Sequence, residues 1–240
     1  DPDDLRPENA YRHVLGMPGG LLRPKKALQL AADIERRYPG AQVKGFPGTI
    51  EQAIDVGVFV PAEQDLLLSA TGDPNTDRAL NERLLQASSW PPTLFTWLEP
   101  LGIGGHAVTF PGPRPVARQP GCFDCLFTPN PLDPEPVLEN HAAFAASGQV
   151  FTRELAGCGN AFTPYSSLDA LRTAELAARL AVEVLQDRVP GGLLRSWKGS
   201  GEAFRAAGYR TSPRHELSAE VLERGCADLS MARCKVCGSA

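Results

Sequence analysis

The stretch Asp65-Leu-Leu-Leu-Ser-Ala-Thr71, followed by Gly72-Asp73-Pro74, predicts the fold of this chain better than any other segment. A short apolar run bounded by turn-forming residues is typical of a buried parallel strand. The turn ends the strand, and the polar and apolar residues of Asn75–Leu85 predict a helix with Asn75 or Thr76 as its cap. The segment therefore has the strand–turn–helix order of an α/β protein.

The neighbouring segments continue this alternation. An amphipathic pattern predicts a helix over Lys25–Arg37, which Tyr38-Pro39-Gly40 ends. Further on, a long helix over Leu168–Gln186 is rich in alanine, which implies close packing, and a last helix covers Ser218–Arg224. The pattern predicts an α/β fold with a doubly wound, mostly parallel sheet. The remaining predicted elements are strands at Ala41–Phe46, Pro92–Glu99 and Ala107–Phe110 and a helical turn at Thr49–Ile54.

Composition and charge exclude several classes of protein. The chain has 240 residues, 42% of them hydrophobic, and a net charge of -4, so it can bury a core but has no basic field for nucleic acid. No apolar run reaches the roughly 18 residues that a membrane span needs, and no signal peptide is recognisable. We therefore expect a cytoplasmic protein. Because the chain opens on Asp1, we also expect that an earlier part is missing.

Two Cys-x-x-Cys pairs, Cys122–Cys125 and Cys234–Cys237, predict a four-cysteine zinc site. Each pair offers two sulfurs from one tight turn, and four thiolates complete a tetrahedral structural site. Close pairs without a secretory signal favour a reducing compartment and a metal ion over disulfides. The alternatives are one redox-active pair or four unrelated thiols.

Two further cysteines and several other side chains remain outside this count. One of these two cysteines, Cys158 or Cys226, is a candidate for chemistry. Cys158 lies between Gly157 and Gly159, which allow the backbone to approach closely and to move; the alternative for it is a buried structural cysteine. Cys226 is expected to pack beneath the second cysteine pair. His106 is expected to be structural, and Trp197 to lie at the surface or in an interface.

Five motifs in order resemble the adenylation fold of the ThiF/MoeB and ubiquitin-activating superfamily. Asp1-x-Asp3 precedes Asn9-x-x-Arg12, and Lys26 then opens a helix. The strand that leads to Asp73, the two Cys-x-x-Cys pairs and Gly157-Cys158-Gly159-Asn160 follow at the family's positions. The resemblance covers nearly the whole chain and implies a Rossmann-like sheet with a zinc site.

The resemblance also implies roles for single residues, with ATP and magnesium as cofactors. The nucleotide would be bound by Asp1 through the ribose, by cationic Arg12 and Lys26 through the phosphates, and by magnesium held through Asp73. Asp3 and Asn9 complete this nucleotide-binding set, and Cys158, Asp73 and Arg12 form the catalytic set. Taken alone, Asp1–Asp4 is typical of a solvated turn, Lys25 and Lys26 of a solvated helix face, and Asp73 of a turn.

The resemblance implies one ThiF-like adenylation domain over residues 1–240. Residues 1–110 would form the nucleotide part, 111–165 the proline-rich zinc and crossover-loop region, and 166–240 the C-terminal helices and zinc tail. The family's Gly-rich first turn is absent, and the first strand with it, so we expect this chain alone to bind ATP poorly. An upstream segment or a partner would supply the missing part.

The implied function is ATP-dependent adenylation of a protein's C-terminal carboxylate, followed by thioester formation on Cys158. The expected partner is the C-terminal tail of a ubiquitin-like or other modifier protein. The resemblance is strongest to bacterial activating domains of antiphage operons, often fused behind a conjugating-type domain, and it implies a homodimer. The alternatives are a sulfur-carrier adenylyltransferase of the MoeB/ThiF type and a non-catalytic, zinc-stabilised half that only binds a partner.

Overall fold

The computed structural model of the chain describes residues 1–5, 13–16, 24–112, 121–129, 138–154, 161–227, 229 and 234–238. It divides into two compact units, Asp1–Pro61 and Ala62–Ala240. This boundary falls inside the predicted nucleotide part. The division at residues 110 and 165 stays a prediction.

Within its described residues, the first unit contains two helices, α1 (Lys26–Arg37) and α2 (Ile50–Asp55), as the sequence predicts. Thr49 caps α2 through a capping box with Gln52, which satisfies backbone N–H groups at both positions. The strand predicted at Ala41–Phe46 is wrong, because this segment forms no strand. The Val43 N–H donates to the Glu35 carboxylate at 3.0 Å instead of to a neighbouring strand.

The second unit contains a four-stranded sheet, two small hairpins and four α-helices within its described residues. The strand predicted at Asp65–Thr71 is present, although shorter, and the two predicted C-terminal helices are also present. In chain order the elements are β1 (Leu67–Ser69), α3 (Pro74–Gln86), β2 (Thr93–Leu98), β3 (Gly104–Phe110), β4 (Phe127–Pro129), β5 (Leu138–Asn140), β6 (Arg153–Glu154), β7 (Ala161–Phe162), α4 (Ser167–Leu185), β8 (Leu193–Lys198), α5 (Gly201–Ala206) and α6 (Ala219–Arg224).

The main sheet is mixed, with strand order β1-β2-β3-β8. Its β1–β2 pair is parallel, whereas β2–β3 and β3–β8 are antiparallel. The prediction of a mostly parallel sheet is therefore wrong for these four strands, since two of the three strand pairs are antiparallel. Residues 99–103 connect β2 to β3, and a connection this short cannot hold the crossover that a parallel pair needs.

Both faces of this sheet are covered. On one face, Leu94 and Ala107 pack against α4 through Ala177, Leu180 and Val184. Because side chains alternate along a strand, Phe95 and Trp97 point to the other face. There the Phe95 ring stacks on Phe123, with ring centroids 4.4 Å apart. The segment that carries the first cysteine pair is thus part of the core.

The predicted Leu168–Gln186 helix packs on the sheet as α4. Ser166 caps it in a capping box with Asp169. None of the helices in the described ranges is long and apolar enough to cross a membrane.

Candidate metal centre and candidate active-site residues

The four cysteines predicted to form a cluster lie together. Cys122 and Cys125 are buried, the first as the N-cap of the 3₁₀ turn Phe123–Leu126 and the second within it, and Cys234 and Cys237 are half-buried. All four Sγ atoms lie within 4.8 Å of one another. The Sγ–Sγ distances are 4.0 Å for Cys122–Cys125, 3.7 Å for Cys122–Cys234 and 3.4 Å for Cys125–Cys237. The cluster excludes four unrelated thiols.

This donor set fits a tetrahedral ion. Metal–sulfur bonds of about 2.3 Å give a tetrahedron with sulfur–sulfur edges of about 3.8 Å, close to the three distances above. The neighbouring Cys125 sulfur raises the pKa of Cys122 to about 12, and the Cys122 sulfur raises the pKa of Cys237. Crowded sulfurs therefore favour their protonated forms, and a divalent cation would offset this by binding thiolates.

Helix α3 holds the first cysteine turn in place. Arg78 Nε donates to Asp124 Oδ1 at 2.8 Å, and Asn81 Nδ2 donates to Asp124 Oδ2 at 2.9 Å. Asn81 Oδ1 also accepts the Phe123 N–H at 3.1 Å. The sequence analysis missed these three polar residues. The available signal was an acid inside Cys-x-Asp-Cys, with Arg78 and Asn81 three positions apart on one helix face.

Asp73 lies between β1 and α3 and is the N-cap of that helix, which corrects the predicted cap at Asn75 or Thr76. Its carboxylate accepts the N–H groups of both residues and the Thr76 hydroxyl, the latter at 2.6 Å. The Thr76 hydroxyl is the main cause that holds the pKa of Asp73 below its ordinary value. The cap leaves Asp73 exposed to solvent, with an ionised carboxylate.

A second acid, Asp77, was missed and lies one turn further along α3. It is 1% exposed, and its Oδ1 accepts the hydroxyls of Ser69 at 2.6 Å and Thr71 at 2.9 Å. Burial raises the pKa of Asp77 above its ordinary value. The Asp77 carboxylate therefore links the end of β1 to α3, and solvent does not reach this carboxylate because the residue is buried.

In the first unit, three of the predicted nucleotide-binding residues lie together. Lys26 Nζ forms an ion pair with Asp3 Oδ2 at 2.8 Å, and the Asp3 N–H donates to Asp1 Oδ1 at 2.8 Å. Burial, and next the positive charge of Lys26, lower the pKa of His13. Asn9 and Arg12 lie outside the described residues.

Cys158 also lies outside the described residues, in the connection between β6 and β7, whose backbones pair antiparallel. Cys226 does not pack beneath the second cysteine pair, because it is exposed and its backbone pairs with Leu194 of β8. Trp197 is buried, not at the surface. Its indole N–H donates to the Thr173 hydroxyl of α4 at 2.9 Å.

The prediction that His106 is structural is consistent with its burial. Its Nδ1 lies 2.8 Å from Ser196 Oγ and its Nε2 lies 2.6 Å from Glu99 Oε1. Glu99 also accepts the N–H groups of Phe144 and Ala145. The order Ser–His–Glu has the connectivity of a catalytic triad, but His106 and Ser196 have no exposed surface, so no substrate reaches them.

Comparison with known proteins finds a similar protein. A protein of Pseudomonas aeruginosa (strain BWHPSA011 / Pa011), named ATP-dependent ubiquitin transferase-like protein Cap2, is 27% identical to this chain over 194 residues. The match covers 76% of this chain and 30% of that protein, so the chain spans less than a third of the relative's length. No protein-family model matches the chain.

Proposed function

We propose that this chain is part of an enzyme that activates the C-terminal carboxylate of a ubiquitin-like or other modifier protein with ATP. The observation that carries the proposal is the similarity, over 76% of the chain, to a protein named ATP-dependent ubiquitin transferase-like protein Cap2. The order of acidic, cationic and cysteine motifs along the sequence supports the same reaction. The similarity does not support the alternative of a non-catalytic, zinc-stabilised half that only binds a partner.

The first step is formation of an acyl-adenylate. A carboxylate oxygen of the modifier attacks the α-phosphorus of ATP, and the bond from that phosphorus to the bridging oxygen breaks, so pyrophosphate leaves. The carboxylate is already a nucleophile and needs no base. Arg12 and Lys26 would bind the phosphates, and Asp73 would help to hold the magnesium ion that neutralises pyrophosphate.

The second step transfers the acyl group to sulfur. The Cys158 thiolate attacks the acyl carbon, the bond from that carbon to the AMP oxygen breaks, and a thioester and AMP result. The proton of the thiol passes to solvent or a nearby base before attack. A thioester keeps the carboxyl group reactive, as a conjugating-type domain fused upstream would require.

The geometry of the first unit supports its assigned role in nucleotide binding. Contacts of 2.8 Å link Asp1, the proposed ribose ligand, to Asp3, and Asp3 to Lys26, the proposed phosphate ligand. The Asp3 side chain is 66% exposed, and an ion pair of this kind contributes about 1 kcal/mol or less. A triphosphate, with several negative charges, can therefore compete with Asp3 for the Lys26 ammonium. Asn9 would add a polar contact to this set.

The cysteine cluster would hold zinc as a structural ion. Its ligands come from two segments 108 residues apart, so zinc would join the C-terminal tail to the core next to Phe123. All four positions are filled by sulfur, which leaves none for a substrate. We therefore assign zinc no step in the reaction. We further propose that the protein forms a homodimer.

The proposal is tested with the natural full-length protein, ATP and magnesium. Ubiquitin and the proteins encoded beside this gene serve as probes, and each probe with an amidated C-terminus is the matched control, because an amide is not a carboxylate nucleophile. We expect pyrophosphate exchange and a thiol-sensitive adduct only with the free carboxylate. Absence of exchange with every probe contradicts the proposal.

Substitutions at two cysteines identify the site of the adduct. Cys158→Ser should give an adduct that resists thiols but is cleaved by base, since an ester replaces the thioester, and Cys158→Ala should give none. Cys226→Ser is the matched control and should behave like the wild type. An adduct that survives Cys158→Ala, or is lost in Cys226→Ser, contradicts the assignment.

A further inference from the structure

The connection between β2 and β3 contacts both chain segments that flank the β6–β7 hairpin. It covers residues 99–103, which include the 3₁₀ turn Pro100–Gly102, and we call it the β2–β3 turn. The turn begins at Glu99, directly after β2, which pairs in parallel with β1. The carboxyl ends of such strands form the edge at which ligands bind in α/β sheets. The β2–β3 turn therefore starts at the same edge as Asp73.

The Glu99 carboxylate holds the segment that leads into β6. One oxygen accepts the Phe144 N–H at 2.6 Å, and the other accepts the Ala145 N–H at 2.8 Å. Glu99 is 5% exposed and Phe144 is completely buried. Two consecutive N–H groups on one carboxylate fix both the position and the direction of that backbone, and away from water such bonds are costly to break.

Glu99 is itself oriented by a chain of buried side chains. His106 Nε2 lies 2.6 Å from Glu99 Oε1, and Ser196 Oγ lies 2.8 Å from His106 Nδ1. Arg214 Nη2 donates to Ser196 Oγ at 3.2 Å. Because a guanidinium can only donate, the Ser196 hydroxyl is left to donate to His106 Nδ1, and His106 Nε2 donates to Glu99. The direction of every bond in the chain is thereby set, and the carboxylate is held in one orientation.

Leu101 and Gly102 hold the segment that follows β7. The Leu101 N–H donates to the Pro164 carbonyl at 2.6 Å. Gly102 lies against the first turn of α4, because a Cβ at this position would be 2.5 Å from a carboxylate oxygen of Asp169. The segments before and after the hairpin are therefore both attached to the β2–β3 turn.

Leu101 has a backbone conformation that leucine rarely adopts. Its φ is 56° and its ψ is 20°, in the left-handed region, where the Cβ of an L-residue is crowded. Such a residue persists where its surroundings hold it, and here the Ile103 carbonyl accepts the Gly199 N–H at 2.8 Å. The Leu101 side chain also packs against the buried cluster that contains Ile103. This conformation directs the Leu101 N–H at Pro164.

We propose that the β2–β3 turn positions the β6–β7 hairpin, and that Glu99 and Leu101 are positioning residues for transfer of the acyl group to sulfur. The inference rests on the proposed function, in which the acceptor Cys158 lies between β6 and β7 in the sequence. Both residues act through the backbone that they hold, and neither supplies a group to the reaction. Their loss should therefore slow the second step and leave the first step unchanged.

Amide hydrogen exchange of the full-length protein, followed by mass spectrometry, tests the contact of Glu99. Glu99→Gln keeps the shape of the side chain but replaces one acceptor oxygen by a donor. Exchange in the peptide Ala143–Ser147 should become about 10-fold faster, because a buried N–H loses its acceptor. Glu139→Gln is the matched control, since Glu139 contacts the same segment from β5 by accepting the Ser147 hydroxyl at 2.6 Å. It should leave exchange of the Phe144 and Ala145 amides unchanged.

The same measurement tests Leu101. Leu101→Gly removes the backbone strain and lets the turn adopt other conformations, so exchange at position 101 should also become about 10-fold faster. Asp187→Gly is the matched control. Asp187 has a similar φ of 55°, and it follows the C-terminal end of α4, whereas the turn contacts the first turn of that helix. This control relieves the same kind of strain and should leave exchange in the turn unchanged.

A second measurement separates the two steps of the reaction in these four variants. Pyrophosphate exchange reports the acyl-adenylate, and single-turnover formation of the thiol-sensitive adduct reports acyl transfer. Ubiquitin and the proteins encoded beside this gene are the probes. Glu99→Gln and Leu101→Gly should keep wild-type pyrophosphate exchange and form the adduct about 10- to 100-fold more slowly, since a misplacement of about 1 Å has an effect of this size. Both controls should match the wild type.

Each outcome decides the proposal. Faster amide exchange with slower acyl transfer and unchanged pyrophosphate exchange supports it. Wild-type amide protection overturns it, as does a wild-type rate of adduct formation or an equal loss of both steps. If the wild type shows no pyrophosphate exchange, the proposed function fails and the kinetic role with it, whereas amide protection still decides whether the turn holds the hairpin. If thermal unfolding shows that Glu99→Gln does not fold, Leu101→Gly decides.

Discussion

The contact between α3 and the first cysteine turn provides a sharp test of the zinc site. Asn81 is 5% exposed, and its amide group makes two hydrogen bonds, to the Asp124 carboxylate and from the Phe123 N–H. Asn81→Ala removes both bonds and leaves all four cysteines in place, but it also removes the contact through which Asn81 lowers the pKa of Cys122. The variant therefore tests how far the zinc site depends on support from α3.

The expected cost follows from the groups left behind. The Phe123 N–H would be buried without its acceptor, and Asp124, itself 8% exposed, would lose one of its two side-chain donors. Each buried polar group that loses its partner costs about 1–3 kcal/mol, so we expect the free energy of unfolding to fall by about 3 kcal/mol. Loss of such outer support typically weakens metal affinity about 10- to 100-fold.

The assay combines urea unfolding of the zinc-loaded protein with competition for zinc by a chromogenic chelator. Asn75→Ala is the matched control, since Asn75 is exposed on the same helix. It should change neither quantity by more than about 0.5 kcal/mol or about threefold. If Asn81→Ala behaves like Asn75→Ala, the turn does not depend on α3, and the reasoning is refuted.

Three further predictions concern single groups. Asp77→Asn keeps an oxygen that accepts the hydroxyls of Ser69 and Thr71 but removes a buried charge. Burial raises the Asp77 pKa, so the wild-type acid stabilises the fold below its ordinary pKa of 3.8, and this stabilisation is lost as the pH rises through the raised pKa. The variant should therefore be more stable than wild type at pH 7, with a difference that shrinks towards pH 4 in urea unfolding; a constant difference would contradict this. Asp73→Ala should destabilise the protein by about 1 kcal/mol through loss of the helix cap, whereas Asp73→Asn should keep the cap and the stability. Loss of pyrophosphate exchange in Asp73→Asn would therefore point to a role of Asp73 in holding magnesium, and retained exchange would exclude that role. Elemental analysis should find one zinc per chain, and its removal by a chelator should lower the melting temperature; no zinc, or an unchanged melting temperature, would contradict a structural ion.

The sequence predicted the local elements well because their signals are local. The helix over Lys26–Arg37, the apolar strand at Leu67–Ser69 and the long helix Ser167–Leu185 each carry their pattern within a few residues. The cysteine cluster was predictable for another reason. A structural zinc site needs four ligands, so two Cys-x-x-Cys pairs predict that the pairs meet, whatever the fold of the residues between them.

Pairing direction and polar contacts were not predictable in the same way. An apolar run has the same composition in a parallel and an antiparallel strand, and only the length of the Glu99–Ile103 connection indicated that β2 and β3 are antiparallel. The contact between Asn81 and Asp124 joins residues 43 positions apart. The sequence holds no periodic signal for a hydrogen bond of that range, and the tertiary structure alone brings the two groups together.

The topology of the sheet decides which polar groups can act. In α/β sheets, ligands bind at the carboxyl ends of parallel strands, and here that edge has Asp73 and Asp77 after β1 and Glu99 after β2. The antiparallel β3 and β8 strands surround Glu99 with partners: His106 binds its carboxylate, and Ser196 binds His106. These groups are buried and hydrogen-bonded, as is Asp77, so they do not face solvent at this edge. Of these three acids, Asp73 is the one whose side chain is exposed, and its helix-cap hydrogen bonds hold its pKa below the ordinary value, as the proposed role in holding magnesium would require.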